Sequence, residues 1–322
     1  MKWMNYISPD KNASRVGLVE GDAVFGLRHV RRLIELLGDD GTLLRRSAEL
    51  ARNDPLEVFK VTDVTVLAPI PQPPSIRDFM AFEDHILPIL HARGAELDPA
   101  WYEIPGFYFT NPTATLSHVE PVRIPPGASD LDYELEVAAV IGRTGSDIDP
   151  TIAESHIAGY ILMSDWSARD LQRKERGIGL GPAKGKDWAT SFGPYLVTPD
   201  EFEGRENQKS FDLRLTASVN GMPYSDGNLS QIYWSFAEMI AYASRGTTLI
   251  PGDVIGSGTV GTGCIADLSS RFDIERYPWL RCGDVVVLDG QELGEIRVTI
   301  TEGSELIPLE DGRPRPRSQF RK

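Results

Sequence analysis

Two glutamates, Glu134 and Glu136, stand two residues apart in the run YELEVAAVIG (133–142). In a strand, such a pair shares one face. Adjacent carboxylates repel unless a proton or a cation lies between them. Leu135 and the run 137–141 are too apolar for an exposed edge, and buried acids need a partner. A hard divalent cation suits carboxylate oxygens. The competing reading is two solvated acids on the wet face of a strand.

Asp165, Arg169 and Gln172 are spaced i, i+4, i+7, and SDWSARDLQRKE (164–175) predicts a helix capped by Ser164 or Asp165. An acid, a guanidinium and an amide on one stripe can anchor a metal and clamp a carboxylate or enolate oxygen. The alternative is a surface ion pair worth a few tenths of a kcal/mol. Asp78 and His85 lie two turns apart on a helix expected over 77–94, kinked or broken at Pro88. Histidine is the natural general base at neutral pH, although a lone histidine is more often structural.

Two glycine-rich stretches complete the set. GLGPAKGKDWATSFGP (179–194) is not a phosphate loop, because Asp187 follows Lys186; it reads as a mobile loop delivering Lys184 or Lys186. GSGTVGTG (256–263) permits close backbone approach to a ligand. It contains G-x-G-x-x-G at Gly256, Gly258 and Gly261, but no helix is predicted after it, which argues against a dinucleotide site.

The elements that must position these residues are short. Thirty glycines and 23 prolines in 322 residues punctuate strand-like runs, so the chain reads as mixed α/β and β-rich. APIPQPPS (68–75) holds four prolines and marks a junction between a small N-terminal domain (1–70) and a catalytic domain (71–304). Residues 305–322 form a basic, proline-rich tail, expected to fray. Asn220-Gly221 signals a hairpin. SQIYWSFAEMIAYASRG (230–246) predicts a helix stopped by Gly246.

With 33 basic and 47 acidic residues the net charge is −14, which disfavours nucleic acid and anionic lipid as partners. A small anionic substrate stays compatible, because a local cation inverts the field in a pocket. The N-terminus lacks an apolar leader core, and no run of 18 apolar residues occurs. Cys264 and Cys282 match no zinc pattern and read as free thiols. A cytoplasmic enzyme or binding protein is the expectation.

Taken in order, RDFMAFEDH, LDYELEVAAVIG, SDWSARDLQ, GPAKGKDWATSFGP, VNGMPYSDGN and TLIPGDVIGSGTVGTG resemble the fumarylacetoacetate hydrolase family over about residues 75–300. The resemblance implies a mixed β-sandwich roll, a homodimer and a divalent metal, usually Mg²⁺, with Mn²⁺ or Ca²⁺ as substitutes. It implies Glu134, Glu136, Asp165 and Asp78 as metal ligands, and His85 as the base that activates water. Arg169, Gln172 and Lys186 would hold the oxyanion and carboxylate of a small keto acid. Tyr108 and Thr259 would face substrate, with Thr190 supporting the metal ligands. Family members pair the histidine with a glutamate; here Pro88 stands at one of its two positions and Asp267 at the other. Met80 replaces the tyrosine of fumarylacetoacetate hydrolases proper.

The implied reaction is hydrolytic C–C cleavage of a β-diketo acid through a metal-bound enolate, with His85 oriented by Asp267. The same site would serve decarboxylation of a β-keto acid, or isomerisation or hydration of a 2-hydroxydienoate in aromatic catabolism. A metal-stabilised binding protein without turnover is the reading from another class.

Overall fold

In the computed structural model, residues 1–272 and 274–309 are described; the basic segment 312–322 lies outside them. The centre of the fold is the strand Leu135–Ile141, buried along its whole length. It pairs antiparallel with Ile157–Asp165 on one side and with Val254–Gly256 on the other. Both faces are covered, which explains its unbroken apolar run. Val137, Ala139 and Ile141 pack into one large core with Leu162, Leu215, Leu288 and Ile296. Ala138 and Val140 point the other way, into a second core with Trp3, Val16, Leu44, Ile161 and Met163.

The main sheet has thirteen strands. At one end it takes in the N-terminal meander Lys2–Ser8, Ala13–Glu20, Ala23–Gly26 and Glu57–Lys60. At the other end lie Ile76–Phe79 and Phe107–Thr110. A five-stranded sheet built on Arg214–Val219, Val285–Gly290 and Gly294–Thr301 contributes to the large core. This is the sandwich expected. The expected hairpin forms between Arg214–Val219 and Met222–Asn228. Asn220 (φ 52°) and Gly221 (φ 80°) supply its two left-handed residues.

Three expectations are corrected. Ile157–Asp165 is one continuous strand, and the following helix is Arg169–Ile178 with Ala168 as its cap; no side chain caps it. Strand pairing on both sides of Ser164 and Asp165 overrides the local capping signal. Asp78 lies on the strand Ile76–Phe79, while His85 lies on the helix Glu83–His91, so they share no helical stripe. Finally, a helix, Ile265–Arg271, does follow the glycine-rich loop. No helix among the described residues is long and apolar enough to cross a membrane.

Candidate metal and substrate site

The sheet carries the acids in a row. Asp78 is registered against Tyr108 on one neighbouring strand and against Gly256 on the other. Gly256 pairs with Ala138, two residues from Glu136, and Glu136 pairs with Met163. Asp165 ends its strand opposite Thr190. Glycine at position 256 leaves room for Asp78: a Cβ there would lie 2.5 Å from Asp78 Oδ1.

Asp78, Glu134 and Asp165 are buried, and one carboxylate oxygen from each lies within 4.8 Å of the others. Lys186 Nζ donates to Glu134 Oε2 and, at 2.6 Å, to Asp165 Oδ2. Tyr108 Oη donates to Asp165 Oδ2 and, at 3.2 Å, to Asp78 Oδ2. Glu136 is fully buried beside this trio, with Oε1 accepting from Thr259 Oγ1 at 3.3 Å. Among the described residues, Asp78 Oδ1, Asp165 Oδ1, Glu136 Oε2 and Thr190 Oγ1 are buried without a hydrogen-bond partner.

Burial pushes the carboxyls of Asp78 and Glu136 well above the usual range, reinforced by Asp165 at Asp78 and by Asp78 at Glu136. Burial also raises Asp165, against the opposing pull of Lys186. Glu134 goes the other way: burial works against its charge, but Lys186 and Arg169 hold it below the usual range. Lys186 stays charged because Asp165 and Glu134 outweigh its own desolvation. Orphaned carboxylate oxygens in a dry, acid-rich cluster fit a hard divalent cation. Asp78, Glu134 and Asp165 are the residues placed to hold one, with Glu136 beside them.

Arg169 arrives from the start of its helix. Its guanidinium meets Asp132 Oδ2 at 2.7 and 2.8 Å and Glu134 Oε1 at 2.8 Å. It also donates to Gln172 Oε1 at 3.2 Å. Asp132 escaped the sequence reading. It is completely buried and accepts from the backbone of Ile265 (2.7 Å) and Ala266 (3.0 Å), fixing the first turn of Ile265–Arg271. The alternation Asp132, Glu134, Glu136 was its available signal.

His85 approaches from the helix Glu83–His91, which packs on Ile265–Arg271. Its Nδ1 is 3.9 Å from both Asp267 Oδ2 and Cys264 Sγ. Asp267 is committed elsewhere. Arg271 Nε donates to Oδ1 at 2.6 Å and the Thr262 amide to Oδ2 at 2.6 Å. Glu83 accepts from Tyr102 instead of meeting His85.

These groups open onto one cavity of about 770 Å³. Asp78, His85, Tyr108, Glu134, Glu136, Arg169, Gln172, Lys186 and Thr259 all line it. Asp267 and Thr190 lie outside the lining, and Asp165 reaches it through Lys186 and Tyr108. Arg93 and Arg176 also line the cavity. Their side chains make no ion pair among the described residues. Desolvation, Arg169 and Arg93 together hold Arg176 below the usual guanidinium range.

Residues 76–301 match the family model described as fumarylacetoacetate (FAA) hydrolase C-terminal. A mitochondrial oxaloacetate tautomerase of Xenopus laevis is 29% identical over 310 residues, 92% of this chain and 89% of that protein. An oxaloacetate tautomerase of Bacillus subtilis is 32% identical over 237 residues, 70% of this chain and 74% of its own. Among solved structures, a probable 2-hydroxyhepta-2,4-diene-1,7-dioate isomerase from Mycobacterium abscessus superposes with a TM-score of 0.71. It is 25% identical, and the match covers 94% of this chain and all of that one.

Proposed function

Because the chain belongs to the fumarylacetoacetate hydrolase family of enzymes, we propose that it shifts a proton on a small 2-oxo dicarboxylate, interconverting keto and enol forms or moving a double bond. The observation that carries this reading is the commitment of Asp267 to Arg271 and Thr262, 3.9 Å from His85. Water attack on a carbonyl is best served by a histidine whose second ring nitrogen is hydrogen-bonded to a carboxylate, and 3.9 Å is too long for that bond. Removing an acidic C–H proton next to a carbonyl asks less, because neutral imidazole suffices.

A divalent cation held by Asp78, Glu134 and Asp165, with Glu136 close by, would supply Lewis-acid polarisation of a substrate oxygen. The chain's own residues do the rest. His85 takes the proton from the carbon beside the 2-oxo group and returns it to oxygen or to the distal carbon. Arg169 is fixed by Asp132, and Lys186 by Glu134 and Asp165, so both are pre-set to face developing negative charge. Gln172 orients the 1-carboxylate beside Arg169. Arg93 and Arg176, which line the cavity without an ion pair among the described residues, take the second carboxylate. The names of the two tautomerases and of the dioate isomerase support this substrate class.

Hydrolytic C–C cleavage of an acylpyruvate is the second reading. It has in its favour a cavity wide enough for a diketo acid and a water, with an acid in the neighbourhood of His85. One experiment separates the two. The protein with Mg²⁺ is given oxaloacetate or an acylpyruvate in D₂O and followed by proton NMR. Proton shift predicts deuterium entering the carbon beside the 2-oxo group faster than in Mg²⁺ without protein, with unchanged carbon skeletons. Two fragments would establish hydrolysis, and CO₂ release decarboxylation.

A further inference from the structure

Cys264 is an ordinary free thiol by sequence, but the fold sets it beside the proposed base. It is fully buried just after the glycine-rich loop, and its Sγ accepts from the Asp267 amide at 3.3 Å. Its sulfur, a ring nitrogen of His85 and a carboxylate oxygen of Glu134 all lie within 4.8 Å of one another. The Sγ to Nδ1 separation is 3.9 Å. Around a tetrahedral zinc ion, ligand atoms at about 2.0–2.3 Å from the metal stand roughly 3.3–3.8 Å apart. Small side-chain movements therefore close this set.

The chemistry of the set differs from that of the acid cluster. Oxygen-only donors favour Mg²⁺ or Ca²⁺, whereas nitrogen and thiolate donors favour zinc and its soft neighbours. Glu134 is common to both groups. His85 and Glu134 face the cavity, so an ion has a way in and a position open for water.

We infer that Cys264, His85 and Glu134 form a second, thiolate-containing site that takes Zn²⁺ or Co²⁺ and switches the enzyme off. On binding, the sulfur–metal bond replaces the S–H bond, and the proton leaves to solvent through the cavity. The metal occupies the imidazole lone pair that would accept the substrate proton. The inhibitory half rests on the role proposed above for His85; the binding half does not.

The test is Co²⁺ titrated into the metal-free full chain, where Co²⁺ on the oxygen donors alone gives no thiolate band. The expected result is a thiolate-to-cobalt charge-transfer band in the near ultraviolet. Cys264→Ala should abolish the band, and Cys282→Ser, at the exposed thiol, should keep it. His85→Ala is the second variant, and Co²⁺ affinity should fall by at least the roughly 10–100-fold that even an outer-shell loss costs. Micromolar Zn²⁺ should suppress wild-type turnover, while the turnover of Cys264→Ala, taken relative to its own zinc-free rate, should resist it. Absence of the band, its survival in Cys264→Ala or its loss in Cys282→Ser overturns the site. A band in a protein that turns over no 2-oxo acid keeps the site and removes the functional reading.

Discussion

Asp267 Oδ2 lies 3.9 Å from His85 Nδ1, beyond hydrogen-bond range, while its two oxygens accept from Arg271 and the Thr262 amide. The two residues are neighbours without being a hydrogen-bonded dyad. Asp267 serves first to tie the glycine-rich loop to the helix Ile265–Arg271, and only through that frame does it bear on His85.

The first prediction follows from that separation. His85→Ala should lower kcat by about 10²–10⁴-fold, the usual worth of general acid–base catalysis. Asp267→Asn should cost far less than the ~10⁴-fold seen where an aspartate orients a catalytic histidine. Steady-state assays on both variants, with folding checked by circular dichroism, decide it. Equal losses would restore a working dyad and the hydrolytic reading with it.

The acid cluster gives the second. A ligand present at 100 times its Kd stabilises the fold by about 2.7 kcal/mol. Mg²⁺ should therefore raise Tm by several degrees after EDTA treatment. In Asp165→Asn the rise should shrink, because that carboxylate organises Lys186 and Tyr108 as well as offering Oδ1. Differential scanning fluorimetry with and without Mg²⁺ measures both. An undiminished rise in the variant would take Asp165 out of the ligand set.

How much of this was legible in the sequence depends on which contacts set each residue. Glu134 and Glu136 were readable because a strand buried on both faces writes a continuous apolar run, against which two acids stand out. Asp165, Arg169 and Gln172 meet around Glu134 and Lys186, but not through the single helical stripe that the spacing suggested. Asp165 belongs to a strand held by Leu135–Ile141 and Thr190–Phe192, and Arg169 reaches the cluster from a helix start beyond it. Asp78 was likewise read as helical, because its pairing with Gly256 lies 178 residues away in sequence, where no local pattern reports it. Seven residues are too few to show a helical period, so Ile265–Arg271 went unseen. Its first turn is secured by Asp132, from 133 residues away. Arg93 and Arg176 carry no sequence signal of their own; only the fold places both along the cavity.

Those two arginines give the third prediction. Arg93→Ala and Arg176→Ala should raise KM for a 2-oxo dicarboxylate by about tenfold, at the low end for hydrogen bonds to charged groups. The KM for a 2-oxo monocarboxylate of similar size should barely move, and kcat should change little for either. Equal effects on both substrates would place the second carboxylate elsewhere.

The last prediction concerns the backbone that brings the acids together. Gly256 separates the strand of Asp78 from that of Glu136, and a Cβ there would press Asp78 Oδ1 at 2.5 Å and Met163 Cε at 2.6 Å. Two residues on, Gly258 has φ +77°, and a Cβ would fall 2.3 Å from the Phe79 carbonyl oxygen, inside the strand that carries Asp78. The two glycines therefore fail differently when changed. In Gly256→Ala the neighbours are side-chain ends, so the fold should survive with Asp78 turned aside and Mg²⁺ bound more weakly. In Gly258→Ala the obstacle is backbone and the conformation is strained for any L side chain, so stability itself should fall by about 1–3 kcal/mol. Isothermal titration of Mg²⁺ and urea unfolding, run on both variants, should give opposite rankings in the two measurements. A Gly256→Ala variant that binds Mg²⁺ as tightly as the wild type would show that Asp78 does not need its present position to hold the ion.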